Sequence, residues 1–311
     1  MTTTPAIDAV DQPQARSGTV FDIGYQRYAG DREGRGRSRR AVYKDGVRIA
    51  LGLGRSPRAK VLPWFFIAVL SLIGLVMALI AGAARRLGGE DAAAQLPSHG
   101  DYYGIVAIIV FIFAAVVAPE LLCRDRREGT INLYLVRPLT GGDYIAGRWL
   151  AFFSVMLAAA WLPQVILLLG LAGGALDPIA YLRENWLDVP KFLASGIIMA
   201  AYATTLAMLV AAFTLRRAYA SVFLVGLFVI TTPFTIGLAS EIEGPVGQWI
   251  SMFNLANIPL YVVDLIFGSP SVATEDFPAV QLPALTKWLW YFAWTLIPGA
   301  ILWWRYRRLT P

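Results

Sequence analysis

Six apolar runs dominate the chain, at residues 62–84, 103–122, 149–176, 192–215, 219–240 and 289–304. Each is close to the ~20 residues that a helix needs to cross a hydrocarbon layer. None carries an ionisable side chain at mid-depth: Glu120 stands at the end of one run and Gln164 is neutral. Where water cannot reach, every backbone N–H and C=O must be satisfied within the segment, so such runs fold as helices. Only 15% of the 311 residues are charged and 57% are hydrophobic, against roughly 25% charged in a soluble domain. The expected fold is an all-α membrane protein with six transmembrane helices in residues 61–311, preceded by a basic tail at 1–60. Pro163-Gln164 in the third run predicts a kink or a tilt.

Charge asymmetry sets the expected orientation. The tail holds 12 Lys/Arg against 6 Asp/Glu, whereas the rest of the chain is balanced. With six spans, the tail, the polar stretch 119–148, Arg216-Arg217 and Arg305 to Arg308 all fall on one side, the cytoplasmic one. Segment 241–286 has Glu241, Glu243, Asp264, Glu275 and Asp276 and no Lys or Arg, so it is expected outside. Within it, 246–253 and 258–267 are apolar but too short to span, and read as short helices on or dipping into the outer leaflet. Trp149, Trp288, Trp290, Trp303 and Trp304 stand at span ends, where interfacial aromatics belong. In the tail, 39–53 reads as a helix with a basic stripe of Arg40, Lys44 and Arg48 and an apolar face of Tyr43, Val47, Ala50 and Leu51. It is read as interfacial or as plainly solvated.

The stretch 119–148 is the longest polar interruption on the basic side. Arg124, Asp125, Arg126, Arg127 and Glu128 are too densely charged to lie in lipid. Gly129-Thr130 follows, then a short apolar helix carrying Leu133 and Leu135, then Arg137-Pro138 and a turn signal at Thr140-Gly141-Gly142. An exposed apolar helix with nothing of its own chain to bury against is expected to dock on a partner. Glu128-Gly129-Thr130, Leu133, Leu135, Arg137-Pro138 and Gly147 together resemble the coupling-helix loop of type-2 ABC exporter permeases (ABC-2 type membrane proteins). The six spans, the loop after the second and the short outer helices before the sixth extend that resemblance over nearly the whole chain after the tail. Residues 21–30 are similar to aromatic-Gly-Tyr tails of some actinobacterial ABC permeases.

The resemblance implies two ABC ATPase subunits docking on Arg126, Arg127, Glu128, Gly129, Thr130, Leu133, Leu135, Arg137 and Pro138. It also implies a second permease copy, in a homodimer, and a substrate path between the second and fifth spans. Candidate path residues are Phe111 and Phe113, which either form an apolar wall or face lipid. The others are Thr231, Thr232, Phe234 and Thr235 around Pro233, where hydroxyls either repair a helix kink or line the path. No lysine follows a glycine, so the chain has no phosphate loop of its own. ATP and magnesium are expected on the partner ATPase and no cofactor on this chain. One histidine, His99, expected in an outer loop, excludes a multi-histidine metal site. Spans without mid-depth charge argue against a proton- or sodium-coupled carrier. The expected function is a permease in the cell membrane moving an amphiphilic or apolar substrate such as a drug, lipid or peptide. The alternatives are a non-transporting membrane scaffold and an unrecognised intramembrane enzyme. Nucleic acid is not an expected partner; membrane lipid is.

Overall fold

Capping side chains, more than hydropathy, decide where two of the long helices begin. The computed structural model describes residues 34–54, 57–94, 98–135, 139–242 and 244–308; the aromatic tail at 21–30 lies outside them. A first helix, α1 (Arg35–Ala50), precedes α2 (Pro57–Ala94). At α3 (His99–Arg127) the Ser98 hydroxyl accepts from the Gly100 and Asp101 amides while the Asp101 carboxylate accepts from the Ser98 amide. His99 is therefore the first residue of a helix, not part of a loop. Gly129, at φ 69°, turns the chain from α3 into α4 (Thr130–Leu135). Thr140 and Asp143 then form a second capping box for α5 (Gly141–Gly174). The stretch Thr140-Gly141-Gly142 is thus a helix start, because Asp143 stands three residues after Thr140.

After α5 come α6 (Pro178–Glu184), α7 (Asp188–Phe213), α8 (Arg217–Glu241), α9 (Pro245–Ser251) and α10 (Ile258–Phe267). A 3₁₀ turn at Pro278–Gln281 leads into α11 (Ala284–Arg307). The described residues contain no strand. Four of the six apolar runs lie wholly within one long helix; α5 ends at Gly174 and α7 at Phe213, each two residues before the end of its run. Five of these helices, α2, α3, α5, α7 and α8, are long and apolar enough to cross a membrane. The sixth, α11, has 24 residues and is not among those five. The short helix α6 was not anticipated. Asp177 caps it through the Ile179 and Ala180 amides, and it leaves Ile179 exposed beside Trp186 and Leu187.

The longest helices, α2 with 38 residues and α5 with 34, pack through small side chains. A Cβ on Gly74 would fall 2.9 Å from the Pro163 carbonyl oxygen, and one on Gly170 would fall 2.4 Å from the Ala78 Cβ. Gly82 and Gly174 face each other further along. Gly74, Ala78 and Gly82 recur every four residues, the spacing that lets two membrane helices approach backbone to backbone. The α1 helix is neither solvated nor merely interfacial. Val42, Gly46 and Ala50 are buried, a Cβ on Gly46 would fall 2.6 Å from that of Ala151, and one on Gly147 2.9 Å from Val42 Cγ1. Arg40, Lys44 and Arg48 stay exposed as the expected stripe. The α10 helix is likewise no surface element: Leu260, Tyr261, Val262 and Val263 are all fully buried among α3, α7 and α11.

Candidate functional site

The bundle has two distinct ends. One gathers α1, α4, the start of α5, the last turns of α3, α7 and α11, and the start of α8. The other gathers the start of α3, α9, α10 and the start of α11. At the first end a charged network replaces the free polar loop expected there. Arg148, eight residues into α5, is fully buried. Its guanidinium meets Asp125 of α3 at 2.7 Å and Asp45 of α1 at 2.8 Å. It also donates to the Tyr134 hydroxyl of α4 at 3.3 Å and lies over the Tyr134 and Tyr144 rings. The Tyr144 hydroxyl donates to Asp125 at 2.7 Å. Burial pushes the Tyr134 hydroxyl above the ordinary phenol range, which keeps it a donor toward Asp45. One cation thus holds four helices together.

Around this centre the ends are tied again. Arg35 and Arg39 of α1 both pair with Asp143, at 2.6 and 2.7 Å. Arg126 of α3 and Arg305 of α11 both donate to the Ala212 carbonyl, satisfying the open C-terminus of α7 with positive charge. Arg217 pairs with Glu120. Cys123 is a buried free thiol facing the Ala211 and Thr214 carbonyls.

The structure therefore divides the expected docking residues. Arg126 is turned inward, so it is a strut between α3 and α7. Arg127, with a side chain 63% exposed, and Glu128, 41% exposed, remain at the surface, where Glu128 pairs with both Arg127 and Arg124. Gly129 makes the turn, and the Thr130 hydroxyl donates to the Asp125 carbonyl. The side chains of Leu133 and Leu135, and residues Arg137 and Pro138, lie outside the described residues. The short helix does have cover of its own chain, contrary to expectation: Ile131 is buried and Tyr134 is half-buried on the Arg148 network. Local sequence could not expose this, because its partners Asp45 and Arg148 are far away along the chain.

A cavity of about 710 Å³ lies between α3 and α8, closed toward the second end by α10 and residues 272–278. Of the expected path residues, Thr232 lines it. The Thr232 hydroxyl reaches both the Phe228 carbonyl and the Asn254 side-chain oxygen, the latter at 3.2 Å. Thr231 and Thr235 bond back to carbonyls one turn earlier, as hydroxyls around a helix proline do. Phe234 points outward, 64% exposed. Phe111 and Phe113 do not face lipid. Both are fully buried: Phe111 stacks on Phe228 of α8 at 4.4 Å and Phe113 packs against Phe66 of α2 at 5.6 Å. The reading of the spans missed one further polar pair. His99 Nδ1 and the Gln164 side-chain oxygen lie 2.5 Å apart, buried between α3 and α5, with the imidazole stacked on Phe192.

Residues 14–309 match the family model described as ABC-2 family transporter protein. The match spans nearly the whole chain, and the chain belongs to this family of integral membrane transport components. No curated protein matches the sequence.

Proposed function

We propose that this ABC-2 family member is the permease subunit of an ATP-driven exporter, with the α3–α5 connection as the docking element for an ABC ATPase. The observation that carries the reading is the Arg148 network. A partner pressing on α4 acts on a segment joined through one buried guanidinium to α1, α3 and α5, so a push there moves whole helices rather than a loose loop. Arg127 and Glu128, exposed at the same end and paired only at the surface, are the side chains placed to meet the partner. ATP and magnesium belong to that partner, which supplies the differential energy that a docking loop can only transmit.

Two ATPases and a second permease copy complete the assembly. On α8, Val222, Phe223, Ile230 and Phe234 are between 58% and 72% exposed, an apolar face suited to a second copy. The cavity behind that face, with Thr232 on its wall, is the proposed substrate path. Its largely apolar lining fits an amphiphilic or apolar substrate. The basic end of the bundle, with α1 and α4, is assigned to the cytoplasm and the chain to the cell membrane. The test is co-purification from detergent with an ABC ATPase. Glu128→Arg together with Arg127→Glu should abolish recovery of the ATPase without changing membrane insertion. Undiminished recovery would overturn the reading.

A further inference from the structure

Beyond the loop network, α5, α7 and α11 do not close on one another. A groove of about 680 Å³ runs between them, from Tyr291 and Phe292 at one end to Trp303 at the other, within the roughly 300–1,000 Å³ typical of ligand pockets. Its walls are apolar, and Leu150, Phe292 and Leu296 stand exposed at its open side. Both α5 and α7 are long and apolar enough to span, so the medium at that open side is hydrocarbon. From Phe292 to Trp303 a helix rises roughly 16 Å, about half of a ~30 Å hydrocarbon core. The groove is therefore one leaflet deep.

Charge marks its end. Trp303 lies against Gly142, where a Cβ would fall 3.1 Å from the indole. Arg307, four residues further on, continues the same stripe of α11 beyond the groove. The two neighbouring arginines are occupied: Arg305 holds the Ala212 carbonyl and the Phe213 ring, and Arg308 stacks on Trp304. Arg307 is exposed and has no ion pair or hydrogen bond among the described residues. An apolar slot one leaflet deep, ending in one free guanidinium at headgroup level, has the chemistry of a phospholipid with a net negative headgroup. We propose that this groove binds one anionic phospholipid, with an acyl chain between α5, α7 and α11 and the phosphate on Arg307.

This assignment is independent of the ATPase partner and is tested on the full chain alone. Native mass spectrometry would follow lipid retained after incubation with dioleoyl phosphatidylglycerol or, at equal concentration, dioleoyl phosphatidylcholine. One phosphatidylglycerol per chain should be retained in preference, and Arg307→Gln should reduce that preference about fivefold, the worth of one basic residue near a charged headgroup. Ala300→Phe, which fills the groove, should lower retention of both lipids. Equal retention of the two lipids by the unaltered protein, or an unchanged preference in Arg307→Gln, would overturn the proposal. Arg307 stands on an exposed helix end, so that variant decides the matter even where Ala300→Phe fails to fold.

Discussion

Replacing Arg148 by Gln removes the cation that four helices share, and its cost follows from burial. Arg148 is 0% exposed and Asp125 only 7%. Deleting one partner of such a pair costs roughly 3–5 kcal/mol, because the other charge stays buried without compensation. The Asp45 side chain is 45% exposed, so its share is that of a surface pair, about 0–1 kcal/mol. Tyr144 still donates to Asp125 in the variant, which places the expected loss near the lower end, about 3 kcal/mol. At roughly 2–4 °C per kcal/mol, the melting temperature should fall by about 6–12 °C. Asp125→Asn in the same chain removes the stranded charge, so the double variant should melt above the sum of the two single losses, with a coupling above about 1 kcal/mol. Arg148→Lys keeps the charge and loses the fork that reaches two carboxylates, and should fall between. Thermal unfolding of the purified chain in one detergent, followed by circular dichroism, measures all four. A loss below about 1 kcal/mol for Arg148→Gln, or strictly additive singles, would refute the network as a buried ion pair.

Gly170→Val forces a side chain against Ala78 and should cost about 1–3 kcal/mol by separating α2 from α5; an unshifted melting temperature would show that this contact is not tight. Cysteines at Arg40 and Glu275, both exposed, in a chain carrying Cys123→Ser, should react with an impermeant thiol reagent from opposite sides of the membrane. Reaction of both from one side would overturn the assignment of the two ends. Thr232→Val with Thr235→Val removes two hydroxyls, each worth about 0.6 kcal/mol in a membrane bundle. The pair should melt slightly early and shift substrate stimulation of ATPase in the assembled complex, whereas early melting with normal stimulation would make these threonines kink residues alone.

The long helices were legible because lipid leaves the backbone no alternative, and each apolar run falls wholly or all but two residues inside one of them. Their ends were not, since capping overrides hydropathy: Thr140 with Asp143 starts α5 well before its apolar run, and α3 continues through the charged turn to Arg127. The short outer helices were legible as apolar segments of sub-spanning length, but the burial of α10 from Ile258 to Asp264 was not, because it is made by the distant segments α3, α7 and α11. The polar stretch after α3 could be located by its charge, yet Arg126 and Arg127 look alike in sequence and only tertiary contact turns one inward. Arg148 was missed as a site residue because it reads as the last polar residue before an apolar run. Its role depends on Asp45, in a helix read from the sequence as interfacial or solvated rather than as packed on the bundle. Gly46 of that helix is what lets α1 lie against Ala151 of α5.

The 34 residues of α5 have a mechanical consequence. At 1.5 Å per residue the helix is about 51 Å long, well beyond a ~30 Å hydrocarbon core. The excess exceeds what the usual tilts absorb, so part of this rod stands outside the bilayer. Asp45, Arg35 and Arg39 of α1 grip it near one tip through Arg148 and Asp143, while Gly74 rests against it at Pro163, two-thirds of the way along. From Pro163 onward the same seam continues, with Gly170 on Ala78 and Gly174 on Gly82, so α2 is fastened along the far third of the rod rather than at one point. A displacement of the gripped tip would therefore carry α2 and α5 together as one body.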